Sequence, residues 1–182
     1  MAQLKAKPPR TVEDYLRLPE GTRAELIEGQ ILMLPSPRVR HQRIVGRIYR
    51  LLDEFVRRHR LGEVFVSPFD VHLPTADIVQ PDVIYVPDEK NGIVEDWIRG
   101  TPDLLIEVLS PESPERDRIV KRDVYARARV PEYWIVDPDL RAIEVLALAG
   151  RKYEPFGYFR APGEVSSKVL PRFAASLDEI FA

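Results

Sequence analysis

PDLLIEVLSP, residues 102–111, is the stretch whose reading decides the fold. Leu104, Leu105, Ile106, Val108 and Leu109 make a nearly continuous apolar run, the pattern of a strand covered on both faces. Glu107 interrupts it. A carboxylate buried there without a partner would cost several kcal/mol, so the rest of the chain has to supply something that answers it.

The segments on either side give this strand its neighbours. After it, Ser113-Pro114-Glu115 combines an N-cap, a first-turn proline and an early acid, which predicts a helix running to about Arg129. EYWIVDP, residues 132–138, is the next strand, so strand, helix and strand form a crossover with parallel neighbours, right-handed by the usual rule. RAIEVLALA and KYEPFGYFR then continue as an antiparallel extension, and SLDEIF reads as a small capped helix. Upstream, GEVFVSPFDVHLP and DIVQPDVIYVP, rich in β-branched and aromatic residues, read as two consecutive, adjacent strands. NGIVEDWIRG, residues 91–100, reads as a loop or short helical piece. HQRIVGRIYRLLDEFVRRH, residues 41–59, carries Ile44, Val45, Ile48, Leu51, Leu52, Phe55 and Val56 at steps of three and four, an amphipathic helix laid on the sheet. RAELIEGQILML is a tight hairpin around Glu28-Gly29, and Thr11 with Asp14 has capping-box spacing for a short first helix. Residues 1–10 read as a loose basic arm, and 11–182 as one α+β domain, a central mixed β-sheet flanked by helices with an antiparallel C-terminal extension.

Composition narrows the chemistry. The chain has 182 residues, 45% hydrophobic and 31% charged, values of ordinary globular proteins. No apolar run approaches the ~18–20 residues of a spanning helix, and MAQLKAKPPR has no apolar stretch like that of a signal peptide, so no membrane partner and a cytoplasmic location are expected. With no cysteine, disulfides, thiolate catalysis and Cys-type zinc sites are excluded, and His41, His59 and His72 lack metal-ligand spacing. Any metal would take oxygen ligands. A net charge of −2 does not suggest a globally basic nucleic-acid binder, which leaves local patches to be read separately.

Asp82 is the first candidate partner for Glu107, because QPDVIYVP places it at the start of another apolar strand. Two carboxylates ~4 Å apart repel by about 4 kcal/mol at an effective dielectric near 20, so such a pair persists only with a shared proton or a cation. The alternative is a turn-capping Asp82 and a Glu107 paired with an arginine. On a 100° wheel the helix gathers Val120, Val124 and Ala128 into its buried stripe, with Lys121 and Tyr125 at one border. Lys121 can then lean over the sheet, or form an exposed i, i+4 pair with Asp117.

PD at 81–82 followed by an acid in LLIEVLS resembles the PD-(D/E)XK, restriction-endonuclease-like nuclease superfamily. RAELIEGQ, HQRIV, QPDVIYV, LLIEVLSP, RDRIVKRDVYARARVPEYWIVDP and SLDEIF together resemble, in order, the bacterial Uma-type endonucleases, from about residue 11 to 182. The resemblance implies a restriction-endonuclease-like core and a Mg²⁺-dependent endonuclease acting on DNA, with Mn²⁺ as a substitute ion. Asp82 and Glu107 match the metal-binding acids, and the backbone carbonyl of Val108 would be a further ligand. The superfamily's usual lysine position is Leu109 here; the resemblance implies that Lys121 replaces it from the following helix. It also implies a third acid, best matched by Glu25, with Glu28 as the substitute. Tyr125 could position Lys121 or touch phosphate, or pack with its hydroxyl at the rim.

Arg38, Arg40, His41, Arg43, Arg47 and Arg50 crowd the start of the long helix. There, His41, Arg43 and Arg47 could track phosphates, or serve as an ordinary solvated or capping face. Cutting both strands of a duplex would conventionally use a two-fold homodimer. Two other readings stay open: a catalytically silent nucleic-acid-binding or interaction domain of the same fold, and a hydrolase of small phosphodiesters.

Overall fold

The computed structural model describes residues 8–110 and 115–182. The helix start expected at Ser113-Pro114 and most of the expected N-terminal arm lie outside the described residues. Within them Arg10 is already tied down, its N–H donating to the Gly29 carbonyl at 2.8 Å.

α1 (Val12–Leu16) begins as the capping-box spacing requires, with Thr11 and Asp14 bonded reciprocally. β1 (Ala24–Ile27) and β2 (Gln30–Met33) form the hairpin, turned by Glu28 and Gly29 at φ of 49° and 73°. α2 (Val39–His59) starts two residues before the expected helix. The two segments read as single strands each divide in two: β3 (Gly62–Val66) with β4 (Val71–His72), and β5 (Ile78–Val79) with β6 (Val83–Pro87). β3 pairs with β6, whereas β4 pairs with β5 in another sheet. Pro68 and Pro81, which cannot donate to a ladder, fall between the halves. A 3₁₀ turn (Asp88–Ile93) and β7 (Ile98–Arg99) lead into β8 (Leu104–Val108), which is buried along its whole length.

After β8 the helix is not regular. Arg116–Lys121 form a π-helical turn and only then does α3 (Arg122–Arg127) begin. The wider turn rotates the buried face relative to a 100° wheel: Val120 is only half-buried, while Lys121 and Tyr125 are among the most completely enclosed side chains. β9 (Glu132–Asp137) pairs with β8 in parallel, as expected, and β10 (Ala142–Ala149) and β11 (Lys152–Arg160) extend the sheet antiparallel. A small hairpin of β12 (Glu164–Ser166) and β13 (Ala174–Ser176), not anticipated from sequence, precedes α4 (Leu177–Ile180), whose Ser176 cap accepts from the Glu179 N–H.

The main sheet has the order β11-β10-β9-β8-β6-β3, mixed through its single parallel pair, and a second sheet has the order β2-β1-β5-β4-β7. Alternation along the strands sends side chains to two separate cores. Val83, Tyr85, Leu104, Ile106 and Val108 meet the α2 stripe of Ile44, Val45, Ile48, Leu52 and Val56. Ile84, Leu105, Tyr133 and Ile135 meet Val124, Tyr125 and Ala128 on the opposite face. Glu107 shares parity with Leu105, so it points toward α3 and the second sheet. Among the described residues no helix is long and apolar enough to cross a membrane.

Candidate active site

The register of the main sheet brings the two expected acids together. Val83 stands opposite Ile106 in the antiparallel β6–β8 pair, and one step further along that register Asp82 faces Glu107 on the α3 side of the sheet. Both line one cavity of about 410 Å³, together with Val108, His41, Asp117 and Lys121.

Asp82 is held from two directions. The Val108 N–H donates to its Oδ2 at 2.8 Å, and His41 Nε2, from the first turn of α2, lies 3.2 Å from the same oxygen. Burial alone would lower the His41 pKa, but the hydrogen bond and charge of Asp82 outweigh it and raise the value above that of a free imidazole. His41 is therefore an anchor of Asp82.

Lys121 answers Glu107. Its ammonium is 2.8 Å from Glu107 Oε1 and 2.8 Å from Glu25 Oε1, with Asp117 Oδ1 at 3.8 Å. Lys121 is 2% exposed, Glu107 4%, Asp117 4% and Glu25 0%, so Lys121 leans over the sheet and the alternative of an exposed Asp117/Lys121 surface pair does not hold. Burial disfavours the ammonium, but Glu107, Glu25 and Asp117 override that and push the lysine pKa above its usual value. Lys121 is thus a fixed cation. For Glu107 the balance goes the other way: burial is the largest influence and raises its pKa well above the ordinary range, Lys121 pulls it down, and Asp117, Asp82 and Glu25 push it up again. Four carboxyl groups, Glu25, Asp82, Glu107 and Asp117, thus act on one another around the single ammonium of Lys121.

Between the two candidates in the hairpin, the third acid that turns inward is Glu25. Its Oε1 also accepts from the Gln80 N–H at 3.0 Å, while its buried Oε2 has no hydrogen-bond partner. Glu28 is exposed and pairs with Arg127 at 2.7 Å. Tyr125 differs from the expected rim position: it is fully enclosed and its hydroxyl donates to Glu107 Oε1 at 2.6 Å, which drives the phenol pKa upward through burial and that carboxylate's charge. Leu109, at the superfamily's usual lysine position, lines the cavity wall.

The cationic side chains near α2 divide. Arg38 and Arg40 line the cavity together with Arg23, Arg116 and Arg118. Arg43 is exposed on α2, whereas Arg47 turns toward the chain's end and donates to the carbonyls of Ile180 and Ala182. Arg50 pairs with Glu54 and Glu179. Sequence reasoning did not assign Asp117 to the site; its spacing of four from Lys121 was the available signal, and only the π turn with its burial gives that spacing an inward direction.

Among the described residues there is no cluster of three or more His, Asp or Glu side chains arranged to hold a metal. Asp82 and Glu107 supply hard oxygen donors, and a Mg²⁺ site commonly needs only one or two carboxylates because the ion keeps several waters.

Comparison with known proteins places this geometry. A solved structure described as a putative nuclease belonging to DUF820 from Anabaena variabilis ATCC 29413 superposes with a TM-score of 0.79 at 23% identity, covering 95% of this chain and 98% of that one; at that identity it shows the fold alone. The architecture is that of the restriction-endonuclease-like fold. No curated protein matches the chain. The family model described as "Uma2: Putative restriction endonuclease" matches residues 12–178, nearly the whole length, and the chain belongs to that family.

Proposed function

We propose that this protein is a divalent-metal-dependent endonuclease that hydrolyses DNA phosphodiester bonds. Family membership supports the nuclease class. The observation that carries the metal site is the placement of Asp82 and Glu107 side by side on one cavity. The donor set fits a hard cation: Asp82, Glu107 and the Val108 carbonyl would hold Mg²⁺, or Mn²⁺ in its place. The ion would supply a Lewis acid at the phosphoryl oxygen and acidify water at neutral pH.

The chain's own groups do the rest. His41 and the Val108 N–H fix the Asp82 carboxylate in one orientation. Tyr125 and Lys121 both engage Oε1 of Glu107 and orient its carboxylate. Lys121 stands as a preorganised positive charge beside the site, where extra negative charge develops as phosphorus is attacked. Glu25 holds the ammonium from the far side. Arg23, Arg38, Arg40, Arg116 and Arg118 at the cavity suit a polyanionic strand, read through its backbone. A cytoplasmic setting and a two-fold dimer that presents one site to each strand complete the proposal.

Calorimetric titration with Mg²⁺ and Mn²⁺, alongside cleavage of supercoiled plasmid, tests it. The expected result is saturable binding and nicking by the wild type, with both lost in Asp82→Ala. Absence of any metal binding by a folded wild type would instead favour a silent domain of the same fold.

A further inference from the structure

The site as described lacks a group to take the proton from the attacking water. Lys121 is poorly suited, because its ammonium is bonded to Glu107 and Glu25 and held in its charged form. Glu107 Oε1 is engaged by Lys121 and Tyr125, and Asp82 Oδ2 by Val108 and His41. At the cavity wall, Asp137 accepts from Arg118 and from the Asp139 and Leu140 N–H groups, and Asp139 accepts from Arg40.

Asp117 is different. Among the described residues lining the cavity it has the one buried carboxylate oxygen without a hydrogen-bond partner, Oδ1, although the residue is only 4% exposed. The π turn holds it in place: its own carbonyl accepts from the Tyr133 hydroxyl at 2.9 Å, so the backbone bearing the carboxylate is pinned to β9. Arg116 Nε and Lys121 Nζ each lie 3.8 Å from Oδ1, too far for a direct hydrogen bond. An interior acid with a vacant acceptor, facing the acids that gather the reacting groups, is what general-base chemistry requires.

We infer that Asp117 is the proton acceptor of the hydrolysis, a catalytic role that rests on the nuclease reading above. Water oxygen attacks phosphorus and forms the new P–O bond while its proton passes to Asp117 Oδ1. The P–O bond to the leaving sugar oxygen breaks with its electron pair on that oxygen, which takes a proton from solvent water. Asp117 then returns its proton to the hydroxide so produced, and one water is consumed overall. The charged and titratable groups facing Asp117 are Lys121 and Arg116 from its own turn, Glu25 from β1, Asp82 ahead of β6, Glu107 from β8 and His41 from α2; burial, with Glu25 and Asp82, raises its pKa above the usual aspartate value against Lys121 and Arg116.

Asp117→Asn and Asp117→Ala, assayed on plasmid with Mg²⁺ and titrated with Mn²⁺ by calorimetry, decide the matter. The expected outcome is a fall in kcat of about 10²-fold or more for both, the typical size of a general-base contribution, with ion affinity changed less than about threefold. Formate should restore part of the activity of Asp117→Ala in proportion to its concentration, and the acidic limb of the wild-type kcat–pH profile should disappear in Asp117→Asn. A purely structural role would give neither signature. If a variant fails to fold, the wild-type profile still decides: a limb whose midpoint lies above the ordinary aspartate range supports the inference and its absence overturns it. An active Asp117→Asn within threefold of wild type, or loss of ion binding with it, overturns the inference and leaves the nuclease reading standing. A wild type that binds ion yet cleaves nothing overturns both.

Discussion

Lys121 is the residue on which the interior charges turn. It bonds two acids at 2.8 Å, one from each sheet, with a third nearby. Removing one partner of a buried ion pair leaves uncompensated charge, typically at a cost of ~3–5 kcal/mol. Lys121→Met should therefore lower the unfolding free energy by about that much, seen as a lower urea midpoint at unchanged m-value. The double variant Lys121→Met/Glu107→Gln should recover part of it, because one of the stranded carboxylates is then neutral. A single variant as stable as wild type would mean that the acids already carry shared protons. Asp117 gives a complementary prediction. Its raised pKa means the folded chain retains a proton that the unfolded chain releases, so stability falls as pH rises from the ordinary aspartate value through the raised one. In Asp117→Asn the melting temperature of the metal-free protein should decline less across that window, and an identical decline in both proteins would refute the assignment.

At the scale of elements, much of this arrangement was legible. Apolar continuity identified β8, three-and-four periodicity identified α2, and Glu28-Gly29 identified the hairpin, because each signal is local and dominated by burial or turn geometry. The division of GEVFVSPFDVHLP and DIVQPDVIYVP between two sheets was not legible, although Pro68 and Pro81 marked the breaks, since strand pairing is a long-range property. The acids at 82 and 107 could be paired from strand logic. The burial of Lys121 and Asp117 could not, because a 100° wheel assumes α geometry and the chain here adopts a π turn. One junction has a simple test. Gly62 opens β3 at φ +136°, and a Cβ there would lie 2.1 Å from the Val86 carbonyl oxygen of the facing strand. Gly62→Ala must displace backbone rather than a flexible side chain, so a loss of about 2 kcal/mol or more is expected in denaturant titration, in line with local backbone strain.

For the whole molecule, ion binding and polyanion binding make separate demands. If the Asp82/Glu107 pair takes a divalent ion only when folded, saturating Mg²⁺ at 100 times its Kd should stabilise the protein by about 2.7 kcal/mol, and Asp82→Ala should show no such gain in a thermal melt. DNA affinity governed by the cavity arginines should fall linearly on a log–log plot against salt, and Arg23→Ala or Arg116→Ala should flatten that slope; a salt-insensitive affinity would argue against backbone tracking. The ammonium of Lys121 also ties the β1 hairpin sheet to the main sheet through Glu25 and Glu107, so it is a rivet as well as a charge. A lysine-deficient variant that no longer cuts DNA would be ambiguous, since the plates could have parted before any bond was attacked. Only with both layers verified as still joined, for instance by hydrogen-exchange protection of Gln80 and Val108, would such a loss speak to chemistry.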